Sequence, residues 1–291
     1  MYNAMEEQNK REVLGRELMT TQMSSINNIV KTKIYSDAAT LGNELSWIIL
    51  EGIKQAEIHG HQYLLGCPSG RSPLSTYKAL GHQAAANGQD MSHVTIVMMD
   101  EFVLPNENGY EYCSPDAHFS CARYAHKELL TAINGHLKPA WRIAKDNVWL
   151  PDPANPTDLE DRMRAAGGIN LFIVAVGGSD GHVAFNPPGS SENSRTRIIE
   201  LAETTRQDNM GTFPDFTDIS EVPKYGVSVG LGTICEFSHH IVMIAAGSGK
   251  TAAVKRLASY STFDPSWPAT MIYGCKNAQL MLDAAAANEI S

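Results

Sequence analysis

The sequence predicts an α/β fold of three layers, a Rossmann-like arrangement in which a mostly parallel sheet is flanked by helices. Short apolar segments alternate with stretches of helical periodicity along most of the 291 residues. Several apolar segments lack polar alternation, as strands covered on both faces do. The candidate strands are residues 63–67, 94–99, 171–176, 226–229 and 241–246. This alternation with helices is typical of a parallel sheet.

The helices are predicted from apolar residues that recur every three or four positions. The first begins near Ser36 and ends before Gly60. Its apolar face consists of Leu41, Leu45, Ile48, Ile49 and Ile53. Further helices are predicted near residues 73–86, 117–133, 157–166 and 250–260. Residues 1–35 have a weak pattern and are predicted to be a partly helical N-terminal extension. Residues 36–291 are predicted to form a single domain, because no repeat or low-complexity linker interrupts them.

The composition is that of a soluble globular protein, with 43% hydrophobic and 19% charged residues. No apolar run approaches the roughly 20 residues that span a bilayer, and no signal-peptide core is present. We therefore expect a cytoplasmic protein with no membrane partner. The net charge of −9 argues against nucleic acid as a partner. A phosphate ligand would need local donors, because the overall field repels it.

The five cysteines contain no Cys-x-x-Cys pair and are odd in number. This pattern predicts reduced, mostly buried thiols, with neither a disulfide framework nor a zinc site built on cysteine. His239 and His240 are adjacent in sequence, and adjacent residues do not share a face of a helix or strand. We therefore predict no metal ligands from them.

A tight turn follows the first candidate strand and carries Ser69, Gly70, Arg71 and Ser72. Ser72 is a candidate N-cap, with Pro73 at the first helical position. Exposed backbone N–H groups and the helix dipole would make this turn a cradle for an anion. A plain strand-to-helix turn is the alternative.

Two adjacent carboxylates, Asp100 and Glu101, close the second candidate strand. A carboxylate at the end of an apolar strand lies in a drier environment, which suits a general base. The alternative is that this pair caps a helix or a turn.

A glycine-rich loop with Asp180 and His182 follows the third candidate strand. A carboxylate near an imidazole fixes its tautomer and raises its basicity, as acid–base catalysis requires. The alternative is a purely structural histidine. The loop lacks the Gly-x-Gly-x-x-Gly pattern, so no dinucleotide site is predicted.

A second glycine turn, residues 247–251, carries Lys250 at the start of a predicted helix. The Walker pattern would require glycine at Ile244, so a nucleotide-binding P-loop is excluded. A lysine in this position can still bind a phosphate as a point charge. All four segments follow candidate strands, and ligands in such sheets bind at the carboxyl ends of the strands. We therefore expect one common site.

In this order the segments resemble the glucosamine-6-phosphate deaminase/isomerase family, which shares its fold with the 6-phosphogluconolactonases. The resemblance covers about residues 36–286, and the run from Asp180 to Arg206 is specific to the deaminase branch. It also includes residues 189–191, 194–197, 205–209, 222–225, 229–233 and 268–269.

The resemblance implies a role for each candidate residue. The 6-phosphate of a sugar would be held by Ser69, Gly70, Arg71, Ser72 and Lys250. His182, supported by Asp180, would open the sugar ring. Asp100 would then move a proton between C2 and C1, and ammonia would leave from C2. The resemblance also implies that no metal or organic cofactor is needed and that the protein forms a homo-oligomer.

The chain departs from the family pattern in four places. Pro187 stands where the family has a glutamate that completes a relay with the catalytic Asp and His. Gly211 stands where the family has a phosphate-binding arginine, and Arg71 stands where small residues are usual. We hypothesise that Arg71 replaces the missing arginine. An insertion around residues 106–116 follows the Asp100 strand and could reshape the sugar pocket.

Two other functions stay open from the sequence. One is hydrolysis of a sugar-phosphate lactone, with His182 activating water. Asn186 and the run 194–197 argue against it. The other is a sugar-phosphate sensor without catalysis, which the missing glutamate would allow. The first 35 residues offer no helix-turn-helix, so a sensor of this kind would not bind DNA.

Overall fold

A computed structural model describes the backbone of residues 22–26 and all of residues 29–290. Twelve strands lie within these ranges. They are β1 (Gln22–Ile26), β2 (Val30–Tyr35), β3 (Tyr63–Cys67), β4 (Val94–Met98), β5 (Asp100–Asn106), β6 (Gly109–Tyr112), β7 (Val148–Trp149), β8 (Leu171–Ala175), β9 (Arg197–Glu200), β10 (Tyr225–Ser228), β11 (Ile241–Ala245) and β12 (Ala278–Asp283).

The α-helices of the described part connect these strands. They are α1 (Ala38–Ile58), α2 (Leu74–Asn87), α3 (Cys121–Tyr124), α4 (Leu130–Asn134), α5 (Asp158–Ala165), α6 (Glu203–Thr212), α7 (Leu231–Phe237) and α8 (Thr251–Ala258). A π-helical turn, Ala125–Leu129, joins α3 to α4. Short 3₁₀ segments include Ser248–Lys250 and Pro268–Tyr273. The predicted first helix matches α1, which begins where the Asp37 carboxylate accepts a hydrogen bond from Thr40 N (2.8 Å).

The larger sheet of the described chain has the strand order β1-β2-β12-β11-β8-β3-β4-β7. All neighbours pair in parallel except β1 and β2, which are antiparallel. Apolar clusters cover both faces. Phe172, Val174 and Met243 belong to one cluster, and Leu65, Ile96 and the apolar side of α1 belong to the other. The predicted three-layer α/β fold is confirmed.

A second, four-stranded sheet has the order β6-β5-β10-β9 and is antiparallel throughout. The sequence placed residues 226–229 in the parallel sheet, which is wrong: β10 pairs with β5 and β9 instead. The chain enters this sheet directly after β4, and Met99 lies at the junction, where its carbonyl accepts a hydrogen bond from Val229 N (2.8 Å). An apolar cluster that includes Phe102, Phe185 and Phe213 supports the second sheet.

Strand β2 lies within the range that the sequence assigned to the extension, yet it pairs with β12 inside the main sheet. The boundary at residue 36 therefore cuts off a strand, and the described part of the extension, β1 and β2, is extended rather than helical. Val30 and Ile34 on β2 are buried and belong to the same apolar cluster as Phe172. The division into an extension and one domain otherwise stays a prediction.

The prediction that all cysteines are reduced is wrong for one pair. Cys235 on α7 and Cys275, after the 3₁₀ segment Pro268–Tyr273, form a disulfide. Their Cα atoms are 5.1 Å apart, although 40 residues separate them in sequence. Cys67, Cys113 and Cys121 are buried thiols, as predicted.

The alanine run at residues 284–287 forms turns. Ala286 and Ala287 are buried, and Ala286 N donates to the Asp283 carboxylate (2.8 Å), which holds the chain in a turn. In the described residues no helix is both long and apolar enough to cross a membrane.

Candidate active site

A pocket of about 620 Å³ opens at the carboxyl ends of β11, β8, β3 and β4, four consecutive strands of the main sheet. The four segments singled out in the sequence surround this pocket, because the carboxyl ends of parallel strands lie at the same edge of the sheet. Among its lining residues are Ser69, Arg71, Ser72, Asp100, His182, Asp208 and Lys250.

The turn after β3 brings Ser69, Arg71 and Ser72 to the pocket wall. Gly70 makes this turn possible, because its φ of +86° is a conformation that side chains with a Cβ rarely adopt. Tyr124 Oη fixes the turn by donating a hydrogen bond to Gly70 O (2.7 Å). Gly70 itself does not line the pocket, so its contribution is to the shape of the turn.

The predicted start of α2 is wrong by one residue. The helix begins at Leu74, and Pro73 occupies the N-cap without a side-chain hydrogen bond. The Pro73 carbonyl accepts the first helical hydrogen bond, from Tyr77 N (3.1 Å). Ser72 therefore does not cap α2, and it lines the pocket instead.

Lys250 enters the same pocket from the 3₁₀ turn behind β11, and its Nζ donates a hydrogen bond to Val176 O (2.7 Å). Burial lowers the pKa of Lys250; the nearby Asp208 carboxylate opposes this shift, while the Arg71 guanidinium adds to it. Two cations, Arg71 and Lys250, thus lie close enough to repel each other. A bound anion would relieve that repulsion.

Asp208, on α6, places a carboxylate beside these cations. It accepts a hydrogen bond from the Ser179 hydroxyl (2.9 Å). The cationic end of the pocket therefore has an internal counter-charge, which any incoming anion has to compete with.

Asp100 lies at the junction of the two sheets, lines the pocket and is only 4% exposed. Burial raises the pKa of Asp100 to about 7; a hydrogen bond from the Cys121 thiol lowers it, and the neighbouring Glu101 raises it further. A carboxylate with a pKa near neutrality can both take and return a proton at physiological pH.

Glu101 has the structural role that the sequence left open for the pair. Its carboxylate accepts hydrogen bonds from Phe102 N, Cys121 N, Ala122 N and the Ser120 hydroxyl, at 2.7 to 2.9 Å. These bonds fix the first turn of α3 against β5. The two adjacent carboxylates therefore differ in function: Glu101 holds a helix start, and Asp100 faces the pocket.

His182 lines the pocket, and Asp180 lies behind it. The Asp180 Oδ1 atom is 2.6 Å from His182 Nδ1 and also accepts from His182 N (3.0 Å). Burial alone would raise the pKa of Asp180, but the hydrogen bonds from His182 and Thr204 outweigh it and hold the pKa well below its usual range. An ionised Asp180 requires the proton on Nδ1, which leaves Nε2 free to take one.

Gly177 lets the His182 ring lie directly against the backbone of its own loop. A Cβ at residue 177 would be only 2.3 Å from His182 Nδ1. Gly177 N also donates to His182 O (2.8 Å), which closes the loop. A glycine at position 177 is thus required by the position of the imidazole ring.

Among the positions that depart from the family pattern, Arg71 lines the pocket. Asn186 is fully buried, and its side-chain oxygen accepts a hydrogen bond from Arg197 Nη1 (2.9 Å). The adjacent Pro187 supplies no acid–base group and does not line the pocket. Gly211 is exposed on α6, with open space where a side chain would begin. The insertion around residues 106–116 contains the turn after β5 and the strand β6, which pairs with the end of β5.

Three further residues belong to the site although the sequence did not single them out for chemistry. Thr204 donates a hydrogen bond to Asp180 Oδ2 (2.5 Å), Cys121 contacts Asp100, and Asp208 faces Lys250. The only sequence signal was the resemblance over residues 205–209, which includes Asp208. In the described residues, no cluster of three or more His, Cys, Asp or Glu side chains could hold a metal ion.

Fold and pocket together define an α/β protein whose strand ends carry a cationic region next to a buried carboxylate and a paired imidazole. A sequence model described as glucosamine-6-phosphate isomerases/6-phosphogluconolactonase matches residues 36–282. The chain belongs to this family.

Among its relatives, a glucosamine-6-phosphate deaminase from Shouchella clausii (strain KSM-K16) is 31% identical over 269 residues, which are 90% of this chain and 96% of the relative. Another, from Arthrobacter sp. (strain FB24), is 37% identical over 198 residues, 66% of this chain and 68% of the relative.

Two solved structures have a similar fold. A monomeric glucosamine-6-phosphate deaminase superimposes with a TM-score of 0.74 at 23% identity, covering 89% of this chain and 99% of the other. A 6-phosphogluconolactonase from Trypanosoma cruzi does so with a TM-score of 0.65 at 16% identity, covering 93% and 99%. At these identities the likeness concerns the fold alone.

Proposed function

We propose that this protein converts an amino-sugar 6-phosphate and water into a ketose 6-phosphate and ammonia. Family membership and relatives at 31% and 37% identity support an enzyme of the glucosamine-6-phosphate deaminase type. The observation that carries the proposed mechanism is the composition of one pocket. It combines a buried carboxylate of raised pKa, an imidazole with a fixed tautomer and a pair of cations.

The phosphate would bind at the cationic end. Lys250 and Arg71 supply the charge, and the hydroxyls of Ser69 and Ser72 supply hydrogen-bond donors. The pocket volume of about 620 Å³ is within the usual range for small-molecule sites. This arrangement would leave the other end of the sugar near Asp100 and His182.

Ring opening would fall to His182. Its Nε2 can accept the proton of the C1 hydroxyl and deliver a proton to the ring oxygen, which breaks the C1–O5 bond and gives the open-chain aldehyde. Asp180 would stabilise the imidazolium that forms in between.

Asp100 would then remove the proton from C2 and return it to C1, while the aldehyde oxygen gains a proton and the amino nitrogen gives one up. The amino aldehyde thereby becomes a hydroxymethyl imine with its C=N bond at C2, to which water adds before ammonia leaves. One water is consumed and one ammonia is released, so no oxidant or reductant is required. A pKa of about 7 allows Asp100 to serve in both directions.

The direct test is ammonia release from glucosamine 6-phosphate and from galactosamine 6-phosphate. Asp100→Asn is expected to lower kcat by about 10²–10⁴-fold, the usual contribution of a general base. Asp158→Asn is the matched control, because Asp158 is an exposed carboxylate outside the pocket.

Other outcomes would replace the proposal. Tight binding of both sugar phosphates without ammonia release would favour a sensor, in line with Pro187 in place of the family glutamate. Hydrolysis of 6-phosphogluconolactone that depends on His182 would favour the lactonase branch. We also propose that the protein forms a homo-oligomer and is cytoplasmic. Light scattering of the purified protein tests the oligomeric state.

A further inference from the structure

The thiol of Cys121 lies between the two halves of the site. Its Sγ is 3.4 Å from Asp100 Oδ1 and 3.6 Å from Ser69 Oγ. Cys121 is the first residue of α3, and its position is fixed because Cys121 N donates to the Glu101 carboxylate (2.9 Å). The sulfur therefore bridges the proposed base and the turn proposed to hold phosphate.

The surroundings of this sulfur keep it protonated. Burial raises the pKa of the Cys121 thiol well above its ordinary value, and the adjacent carboxylates of Glu101 and Asp100 raise it further. A neutral thiol has one proton to donate, and the acceptor in reach with a negative charge is Asp100. The Ser69 hydroxyl can in turn donate to the sulfur.

We propose that Cys121 is a positioning residue that orients the Asp100 carboxylate through an S–H···O hydrogen bond and links it to the Ser69 hydroxyl of the phosphate turn. The inference rests on the proposed role of Asp100 as the base. With Oδ1 held by the thiol, the second oxygen of the carboxylate is the one available to the substrate. Cys121 is not a nucleophile here, since it is 1% exposed and does not line the pocket.

The link has a consequence for substrate binding. A phosphoryl oxygen that accepts the Ser69 proton withdraws that donor from the sulfur. The thiol loses a hydrogen bond but keeps its contact with Asp100. Occupation of the phosphate turn is thereby communicated to the base, through three side chains from three different segments of the chain.

The first experiment does not depend on turnover. The infrared S–H stretching band of Cys121 is identified as the band lost in Cys121→Ser. We expect it to shift when Asp100 is replaced by Ala, and to shift again in the wild-type protein on addition of inorganic phosphate. Cys113→Ser is the matched control, because the Cys113 thiol contacts Glu101 instead (3.6 Å) and its loss leaves the Cys121 band in place.

The second experiment measures the pH dependence of kcat/KM with the amino-sugar phosphate that gives turnover. Activity falls as Asp100 is protonated, and a donor to the carboxylate lowers its pKa. Cys121→Ala is therefore expected to move the acidic limb to higher pH by about 0.5–1 unit, and Cys121→Ser to restore it. Cys121 and Glu101 act directly on Asp100, and the other charged or titratable groups that line the pocket are Arg71, His182, Asp208, Lys250 and Asp283. These variants change Cys121 alone.

The outcomes separate this inference from the proposed function. The role of Cys121 would be overturned if its S–H band did not shift in Asp100→Ala. It would also be overturned if Cys121→Ala lowered activity without moving the acidic limb of the kcat/KM profile. Failure of every amino-sugar phosphate as substrate, with the band still responding to Asp100→Ala and to phosphate, would overturn the deaminase reaction and leave the link intact.

Discussion

The carboxylate of Asp180 joins His182 to α6: its Oδ1 lies 2.6 Å from His182 Nδ1, and its Oδ2 accepts a hydrogen bond from Thr204 Oγ1 at 2.5 Å and a longer one from Thr205 Oγ1 at 3.4 Å. The histidine comes from the loop after β8 and the threonines from α6, so the orientation of the imidazole depends on how these two segments pack. Thr204 is thus a positioning residue for His182.

Thr204→Val is expected to lower kcat by about tenfold, because Asp180 Oδ2 loses its short hydrogen bond and keeps only the longer one from Thr205 Oγ1 (3.4 Å), whereas phosphate affinity stays unchanged. Steady-state kinetics and calorimetry with inorganic phosphate measure the two effects. Thr204→Ser keeps the hydroxyl and should restore kcat. Equal losses in the Val and Ser variants would show that packing, and not the hydrogen bond, is responsible.

Asp100→Asn is expected to stabilise the protein above pH 7. A group whose pKa is raised on folding contributes stability at low pH, and that stability is lost as pH rises from the unfolded value towards about 7. The gain is on the order of 1–4 kcal/mol at pH 8 and vanishes near pH 4. Urea unfolding at several pH values measures it, with Asp158→Asn as control; a gain that is independent of pH would contradict the burial of an ionised Asp100.

Arg71→Ala is expected to weaken the binding of inorganic phosphate and of sugar phosphates by about tenfold or more, because one charge-assisted hydrogen bond is lost. Calorimetry measures the affinities. Lys78→Ala removes an exposed cation of α2 outside the pocket and should have no effect. Unchanged affinity in Arg71→Ala would refute the hypothesis that Arg71 replaces the arginine missing at Gly211.

Asp208→Asn is expected to have the opposite effect and to tighten phosphate binding several-fold. The Asp208 carboxylate offsets the charge of Lys250 and Arg71. In the variant, the amide oxygen of the asparagine can still accept the hydrogen bond from the Ser179 hydroxyl. The same titration with inorganic phosphate, repeated at higher salt, measures the gain and its screening. Weaker binding would mean that Asp208 positions Lys250 rather than competing with the ligand.

Loss of the Cys235–Cys275 disulfide is expected to lower the free energy of unfolding by about 2–4 kcal/mol, since it closes a 40-residue segment. Urea unfolding of the wild type with and without reductant measures this, and Cys235→Ser should be insensitive to reductant. Denatured, unreduced protein should show three thiols, those of Cys67, Cys113 and Cys121. Five thiols would contradict the crosslink.

Much of the parallel sheet could be read from the sequence, because its signals are local. Apolar runs without polar alternation predicted β3, β4, β8 and β11 to within one residue at each end. Since parallel strands end at the same edge, their order along the chain was enough to place Asp100, His182 and Lys250 around one pocket.

Strands with weaker patterns were missed or placed in the wrong sheet. Within the second sheet, the four-residue strand β9 was missed. Strand β10 was predicted as residues 226–229 but assigned to the parallel sheet, whereas it pairs Ser228 with Asp100, 128 positions away. The strands β2 and β12 carry polar residues such as Lys31 and Gln279 and were also missed. Their conformation is fixed by partners distant in sequence, and periodicity carries no information on such pairing.

The sequence by itself determined which residue types stand at the strand ends, and thereby the kind of chemistry available: a carboxylate, an Asp–His pair and a lysine behind a glycine turn. Only the tertiary structure decided how they are used. Asp100 and Glu101 are both buried, but four hydrogen bonds tie Glu101 to the start of α3, whereas Asp100 faces the pocket. Packing also brings Cys121 to Asp100 and Thr204 to Asp180. The reason is physical: burial, proton affinity and hydrogen bonding depend on neighbours in space, and those are set by the packing of segments far apart in the chain.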